Sequence, residues 1–171
     1  MRMDRTFNFA CAGLLALTIF GGCSEDDKSP TGAQPVPVNY EFVLAWGSNG
    51  SGNGQFNMPR DVAVDSDRNV YVTDMYNDRV QKFTSAGVYV TQWGTTGTAD
   101  GQFAVPRGIV ADAAGNIYVT EMDNDRVQKF TGAGAYIAKW GSFGYDSGQF
   151  RDPWGVAVDQ TGNVFVSDID N

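Results

Sequence analysis

The sequence contains no histidine, and its two cysteines, Cys11 and Cys23, both lie within the first 23 residues. Without histidine the chain lacks the commonest general base and the commonest ligand for transition metals. Without cysteine after residue 23, the body of the chain has no thiols for a disulfide framework. These absences exclude histidine-based catalysis and histidine- or thiolate-bound metal from residues 24–171.

Positive charge is also scarce. The chain has 12 lysines and arginines against 20 aspartates and glutamates, and its formal net charge is −8. An acidic surface repels the phosphate backbone of DNA and RNA. We therefore expect no nucleic-acid partner.

The N-terminus has the pattern of an export signal. Two arginines, Arg2 and Arg5, precede an apolar run over residues 7–20, which is too short to cross a bilayer as a mature helix. Residues 1–22 are predicted to be a signal peptide. The sequence FGGC that ends at Cys23 resembles the lipobox of bacterial lipoproteins, although Phe20 occupies a place where that motif usually has an aliphatic residue.

By this resemblance Cys23 is the lipid anchor and becomes the first residue after cleavage. Residues 23–39 are polar and contain proline, which is typical of a flexible tether. Ser24 resembles a signal for sorting to the outer membrane. The resemblance therefore implies an exported protein, anchored by lipid in the bacterial cell envelope, that touches the membrane through this anchor only. The alternative is an ordinary secreted protein in which Cys23 is incidental.

The remainder of the chain repeats with a period of 47 residues. The two complete units, 42–88 and 89–135, align without a gap and agree at about half of their positions. An incomplete third unit covers 136–171. The features that recur at this step are Trp46, Trp93 and Trp140; Pro59, Pro106 and Pro153; Asp65, Asp112 and Asp159; and the eight residues NDRVQKFT, which begin at Asn77 and again at Asn124.

Each unit contains four short segments rich in β-branched and aromatic residues, separated by turn-forming stretches. In the first unit these segments are 61–65, 69–74, 79–83 and 88–93. No segment shows helical periodicity. A four-stranded meander repeated at this length is typical of a β-propeller blade, because one blade cannot cover both of its apolar faces alone. The predicted fold class is therefore all-β.

The repeated motifs WG, GQF, PRGI, GNIYVT and NDRVQKF resemble the NHL repeat over about residues 42–171. The resemblance implies a β-propeller over residues 40–171, of a kind usually built from six blades. We expect two and a half to three blades here, with a lone outer strand at 40–46. This pattern predicts a fragment of a longer ring. The alternative is a short protein whose open arc closes by self-association.

The meander brings the loops before the first strand and after the second strand of every blade to one end, where a ligand would meet them. One repeat position at this end varies in residue type among the units, and it holds Tyr76, Asp123 and Asp170. Another holds arginine in the first two units, Arg60 and Arg107. The candidate ligand-facing residues are Arg60, Tyr76, Arg107, Asp123, Trp154 and Asp170.

A second set of residues at this end recurs so regularly that we assign it a structural role in the turns. An acidic residue followed by Asn-Asp-Arg can tie a turn through side-chain-to-backbone hydrogen bonds and an Asp–Arg pair. The members are Asp74, Asn77, Arg79, Glu121, Asn124, Arg126 and Asp168.

Neither a metal nor a cofactor is predicted. The stretch 65–69 is similar to part of a calcium loop, but the matching stretches in the other units lack its second carboxylate. NHL-like enzymes include lyases and lactonases with a metal or histidine at the axis, and this chain has no histidine to match. We expect a non-catalytic binding or scaffolding module for a protein, peptide or glycan. The alternative is a hydrolase or lyase whose site lies in further blades.

Overall fold

The computed structural model describes residues 41–171 and, upstream of them, a two-residue strand β1 (Leu14–Leu15). Strand β1 lies within the predicted signal peptide and pairs antiparallel with β2 (Ala45–Trp46). The proposed anchor, Cys23, and the tether lie outside the described residues. Within the part of the chain that the structure does describe, no helix is long and apolar enough to cross a membrane.

Residues 59–168 form two complete four-stranded antiparallel sheets and two strands of a third. In each sheet the strands follow one another in chain order, so each sheet is a meander. This arrangement confirms the predicted all-β fold of propeller blades. Blade one contains β5 (Pro59–Val64), β6 (Val70–Asp74), β7 (Arg79–Phe83) and β8 (Tyr89–Trp93); blade two contains β9 (Pro106–Ala111), β10 (Ile117–Glu121), β11 (Arg126–Phe130) and β12 (Tyr136–Trp140); blade three contains β13 (Pro153–Val158) and β14 (Val164–Asp168).

The segment before blade one differs from the prediction of a strand over 40–46. Of the described residues 41–46, only Ala45–Trp46 form a strand, while the side chains of Phe42 and Val43 are exposed. The outer strand of a blade pairs along its length with the third strand, as β8 does with β7, whereas β2 pairs only with the two residues of β1. The chain continues through β3 (Ser48–Asn49) and β4 (Gln55–Phe56), which pair parallel to one another.

Two further details were not predicted. The first strand of each blade starts at its proline, two residues earlier in blade one than the predicted segment, and a register shift separates Pro59 from Val62. A single turn of 3-10 helix, Met75–Asn77, links β6 to β7. Such short turns are common connectors and carry no apolar periodicity in the sequence.

The blades are arranged around an axis lined by their first strands. Strand β9 contacts both β5 and β13, so the first strand of each blade faces those of its neighbours. The hydrophobic core lies between the sheets: Tyr71 and Val80 of blade one are buried with Ile109 and Ile117 of blade two in one cluster. A blade is therefore stabilised mainly by contact with the next blade.

Steric constraints explain why glycine follows tryptophan at the end of each repeat. The Trp93 ring packs against Phe130, with 5.8 Å between the ring centroids. Gly94 follows with φ of +106°, and a methyl group added there would lie 2.7 Å from the Asp78 carbonyl oxygen and would overlap the Phe103 ring. Only glycine fits this close approach without strain.

Candidate functional site

The two kinds of loop predicted to meet at one end of each blade do meet there. In blade one the Met75 amide donates to the Met58 carbonyl at 3.2 Å, and in blade two the Met122 amide donates to the Val105 carbonyl at 3.1 Å. These bonds join the loop that enters the first strand to the turn that leaves the second. We call this side of the molecule the loop end.

A buried carboxylate organises the loop end of blade one. Asp74 Oδ2 accepts hydrogen bonds from Arg79 Nε and Asn77 Nδ2, both at 2.8 Å, while Oδ1 accepts from the Asn57 amide at 2.7 Å. The guanidinium of Arg79 also donates to three backbone carbonyls of the entering loop, those of Ser51, Gly52 and Gln55. Both charged groups are therefore fully engaged within the blade.

Blade two repeats this arrangement with a longer acid. Glu121 accepts from Arg126 Nε at 2.6 Å and from Asn124 Nδ2 at 2.6 Å, and its Oε2 accepts from the Ala104 amide at 3.1 Å. In blade three, Asp168 accepts from the Arg151 amide at 2.9 Å. The residues assigned to the turns are thus placed where they hold two loops together, and their polar atoms point into the blade.

The turn after the second strand also binds the neighbouring blade. Asp78 has a left-handed backbone, with φ of +47°, and its Oδ1 accepts from the Val105 amide of blade two at 3.0 Å. Asp125 accepts from the Asp152 amide of blade three at 3.2 Å. These contacts of Asp78 and Asp125 with the next blade were not predicted from the sequence.

Three of the six candidate ligand-facing residues come together near the axis. Arg60, Arg107 and Trp154 each follow the proline that begins the first strand of their blade, so they occupy one repeat position in three blades. The guanidinium carbons of Arg60 and Arg107 lie 4.4 and 3.8 Å from the centroid of the Trp154 ring. Cations at this distance from an indole face are attracted by its quadrupole.

These residues line a cleft of about 230 Å³. Its remaining lining comes from the next repeat position, which holds Asp61 in blade one, Gly108 in blade two and Gly155 in blade three. Sequence reasoning did not select these three. The sequence signal that could have identified them is the glycine at Gly108 and Gly155, where the first unit has Asp61. Glycine has no side chain and leaves space beside the two arginines.

Arg107 is held in an electrostatically unfavourable place. Burial lowers its pKa, and the charge of Arg60 lowers it further, while Asp152 and Asp123 act in the opposite direction. Its Nε and Nη1 are buried and find no acceptor among the described residues, and Nη2 contacts only the sulfur of Met122. A thioether is a weak acceptor. Much of the hydrogen-bonding capacity of this guanidinium is therefore unused.

The other three candidates do not line the cleft. Tyr76 and Asp123 are exposed. They lie close enough to Arg107 to oppose the lowering of its pKa, so they belong to the surroundings of the cleft. Asp170 is exposed and lies 3.8 Å from Arg151 Nε in a surface ion pair. Exposed pairs of this kind contribute little to stability.

Asp65, the first residue of the stretch that resembled part of a calcium loop, has its carboxylate occupied within its own turn. Asp65 accepts from the Asn69 amide, Asn69 Nδ2 and the Tyr71 hydroxyl, all at 2.8 Å. Burial acts to raise the pKa of Asp65, but the bonds from Asn69 and Tyr71 outweigh it, and the pKa is lowered. Over the described residues, no group of three or more acidic, histidine or cysteine side chains is placed to hold a metal ion.

Comparison with known proteins agrees with this architecture. The family model described as NHL repeat matches residues 56–83 and 150–171. NHL repeat-containing protein 3 of Homo sapiens is 38% identical over 50 residues, which is 28% of this chain and 14% of that protein.

Two solved structures share the fold. A gluconolactonase from Xanthomonas campestris superposes with a TM-score of 0.50 at 14% identity, over 67% of this chain and 36% of that one. A streptogramin B lyase superposes with a TM-score of 0.50 at 14% identity, over 75% of this chain and 45% of that one. The matched part of the chain spans less than half of each of these proteins.

Proposed function

We propose that this chain, which contains NHL repeats and folds into the blades of a β-propeller, is a non-catalytic binding module for a protein, peptide or glycan. The observation that carries the proposal is the cleft at the loop end, where Arg60, Arg107 and Trp154 converge from three blades. Aromatic and arginine side chains are the types most enriched where proteins bind their partners.

The chemistry around the cleft supports binding over catalysis. The carboxylates Asp74 and Glu121 are held by arginine and asparagine side chains, so neither is free to act as a general base. Asp61, the carboxylate that lines the cleft, accepts from the amides of Val62 and Ile109. No histidine exists in the chain to activate a nucleophile. An arginine pair on an indole can hold and orient a ligand, but it does not transfer protons at neutral pH.

A hydrolase or lyase is the second candidate, because the fold is shared with a gluconolactonase and a streptogramin B lyase. In that case the catalytic groups would lie in blades outside the present sequence. The assay is hydrolysis of gluconolactone, or lyase activity on streptogramin B, by the protein with those further blades included, with and without added divalent metal. Turnover above the uncatalysed rate would favour the enzyme and would count against the binding module.

The binding proposal is tested by presenting the purified full chain to peptide and glycan arrays, followed by titration of each ligand found. We expect Trp154→Ala to weaken binding by about tenfold or more, because aromatic side chains at the centre of a binding site contribute much of the affinity. Arg68→Ala is the control for a substitution outside the cleft, because Arg68 lies in the turn between the first two strands, at the opposite end of blade one. Ligands that bind Trp154→Ala and the unaltered chain equally well would refute the proposal.

We also propose that the module is displayed on the bacterial cell envelope, most simply on the outer membrane, through a lipid on Cys23. The support is the apolar run that ends in FGGC, followed by a polar tether. Replacing Cys23 by serine should abolish incorporation of labelled fatty acid and release the protein from the membrane fraction. Unchanged processing and membrane retention of this variant would contradict the anchor, and Cys11→Ser serves as the matched control.

A further inference from the structure

The arginine side chains of the loop end differ in whether a carboxylate lies beside them. Arg79 and Arg126 each lie within 2.8 Å of a carboxylate oxygen, and Arg151 lies 3.8 Å from one. Arg60 and Arg107 form no ion pair with any residue that the structure describes, although they share one indole ring. The two arginines at the axis are therefore the ones whose charge has no carboxylate partner within the described blades.

The unused donors of Arg107 make this difference chemically specific. Its buried Nε and Nη1 have no acceptor in the described part of the chain. A buried donor without an acceptor is costly, and a charged one more so. A planar acceptor with two oxygens can accept at once from two neighbouring guanidinium N–H groups, one of which is always on Nη2, and this is the strongest geometry available to arginine.

We propose that the cleft binds a carboxylate of a protein or peptide ligand, with Arg107 as the hydrogen-bonding partner and Arg60 as a second cation. This inference rests on the proposed function and names the ligand group that the same cleft would take. The ligand carboxylate supplies the negative charge that the described blades do not place beside these two arginines. Trp154 holds both guanidinium groups in place through its ring.

Two observations favour a peptide carboxylate over other anions. Asp61 lines the cleft, and Asp123 and Asp152 act on Arg107 from nearby, so a doubly charged phosphate would meet more repulsion than a singly charged carboxylate. The Trp154 ring is already covered by two guanidinium groups, which leaves little aromatic surface for a sugar ring to stack on. A cleft of about 230 Å³ has room for one side chain or a chain terminus.

The test uses two blocked tripeptides that differ in one group, acetyl-Gly-Glu-Gly-amide and acetyl-Gly-Gln-Gly-amide. They are titrated into the full chain while NMR records the Arg107 Nε–H and the Trp154 indole N–H, assigned with Arg107→Lys and Trp154→Phe. We expect the glutamate peptide to shift both signals and to bind at least about tenfold more tightly than the glutamine peptide. Equal binding of the two peptides would overturn the proposal.

Substitutions separate charge from hydrogen-bond geometry. Arg107→Gln should weaken binding of the glutamate peptide by about tenfold or more. Arg107→Lys keeps the positive charge but loses the planar pair of donors, so its affinity for this peptide should lie between those of the unaltered chain and Arg107→Gln. Arg68→Gln should leave binding unchanged. If Arg107→Gln does not fold, as judged by its thermal transition, the lysine variant and the peptide pair still decide the outcome. An unchanged affinity in Arg107→Lys would overturn the role of the fork.

Two further probes identify the source of the anion. Glucuronate and inorganic phosphate are titrated in the same way, and tighter binding of either would overturn the assignment to a peptide. A neutral array ligand that is lost in Trp154→Ala but unchanged in Arg107→Gln would overturn this inference and leave the proposed function standing. If neither tripeptide shifts Arg107 and no array ligand depends on Trp154, both fail.

Discussion

Arg79 Nε lies 2.8 Å from Asp74 Oδ2, and both side chains are almost completely buried. The same pair recurs in blade two between Arg126 and Glu121 at 2.6 Å. In both blades the arginine also donates to carbonyls of the loop that enters the first strand. The ion pair therefore holds the loop end of the blade together, which is the end where the cleft lies.

Arg79→Ala should destabilise the protein strongly. It leaves the Asp74 carboxylate buried without its cation, and breaking a buried pair on one side costs about 3–5 kcal/mol. The measurement is the free energy of unfolding from urea titration. Asp74→Glu is the matched control, because Glu121 makes the equivalent contacts in blade two. This variant should lose far less free energy of unfolding than Arg79→Ala. Equal losses in the two variants would show that the pair is not what stabilises the turn.

Thr120→Val should weaken the contact between blades two and three. The Thr120 hydroxyl accepts from the Gly108 amide at 2.8 Å and donates to the Trp154 carbonyl at 2.7 Å. Valine leaves both backbone groups without a partner, at a cost of about 1–3 kcal/mol in the free energy of unfolding. Ser167 occupies the same position in blade three but is exposed, so Ser167→Ala should change stability by less than about 0.5 kcal/mol. A neutral Thr120→Val would contradict this role.

Gly108→Ala should also destabilise the protein, for a steric reason. A methyl group at Gly108 would overlap the Trp154 carbonyl oxygen and lie 3.1 Å from Gly155 Cα. Overpacking of this kind costs about 1–3 kcal/mol, read from thermal or urea unfolding. Gly155→Ala is the control at the same repeat position, because its methyl group meets only the Ser167 hydroxyl at 3.0 Å. If both alanine substitutions lower the stability by the same amount, the close approach at Gly108 is not the cause of the destabilisation.

Asp159 should titrate at unusually low pH. Hydrogen bonds from Asn163, followed by those from Thr161, lower the pKa of Asp159 from 3.8 to about 2. Because the folded-state pKa is depressed, the turn is stabilised above pH 4, and this stabilisation is lost as the pH falls through about 2. A carboxyl carbon NMR titration measures the pKa directly. Asn163→Ala should return it towards 3.8, and a midpoint near 4 in the unaltered chain would refute the turn geometry.

The sequence alone was sufficient for the blade. The strand segments and the turn residues recur with a period of 47 residues because every blade has the same packing requirements, and those constraints are local to one repeat. Asp74 and Arg79 are only five residues apart, so their pairing could be anticipated from a turn motif. Their burial could not, because the loop carbonyls that surround Arg79 lie 24 to 28 residues away.

Only the tertiary structure decided which polar residues form the candidate site. Arg60, Arg107 and Trp154 are separated by 47 residues at each step, and they meet because the first strands of successive blades converge on one axis. Tyr76 and Asp123 looked equivalent in the sequence but lie outside the cleft lining. Spacing along a repeat specifies which blade a residue belongs to, whereas the distance between side chains of different blades depends on how the blades pack, which no single repeat encodes.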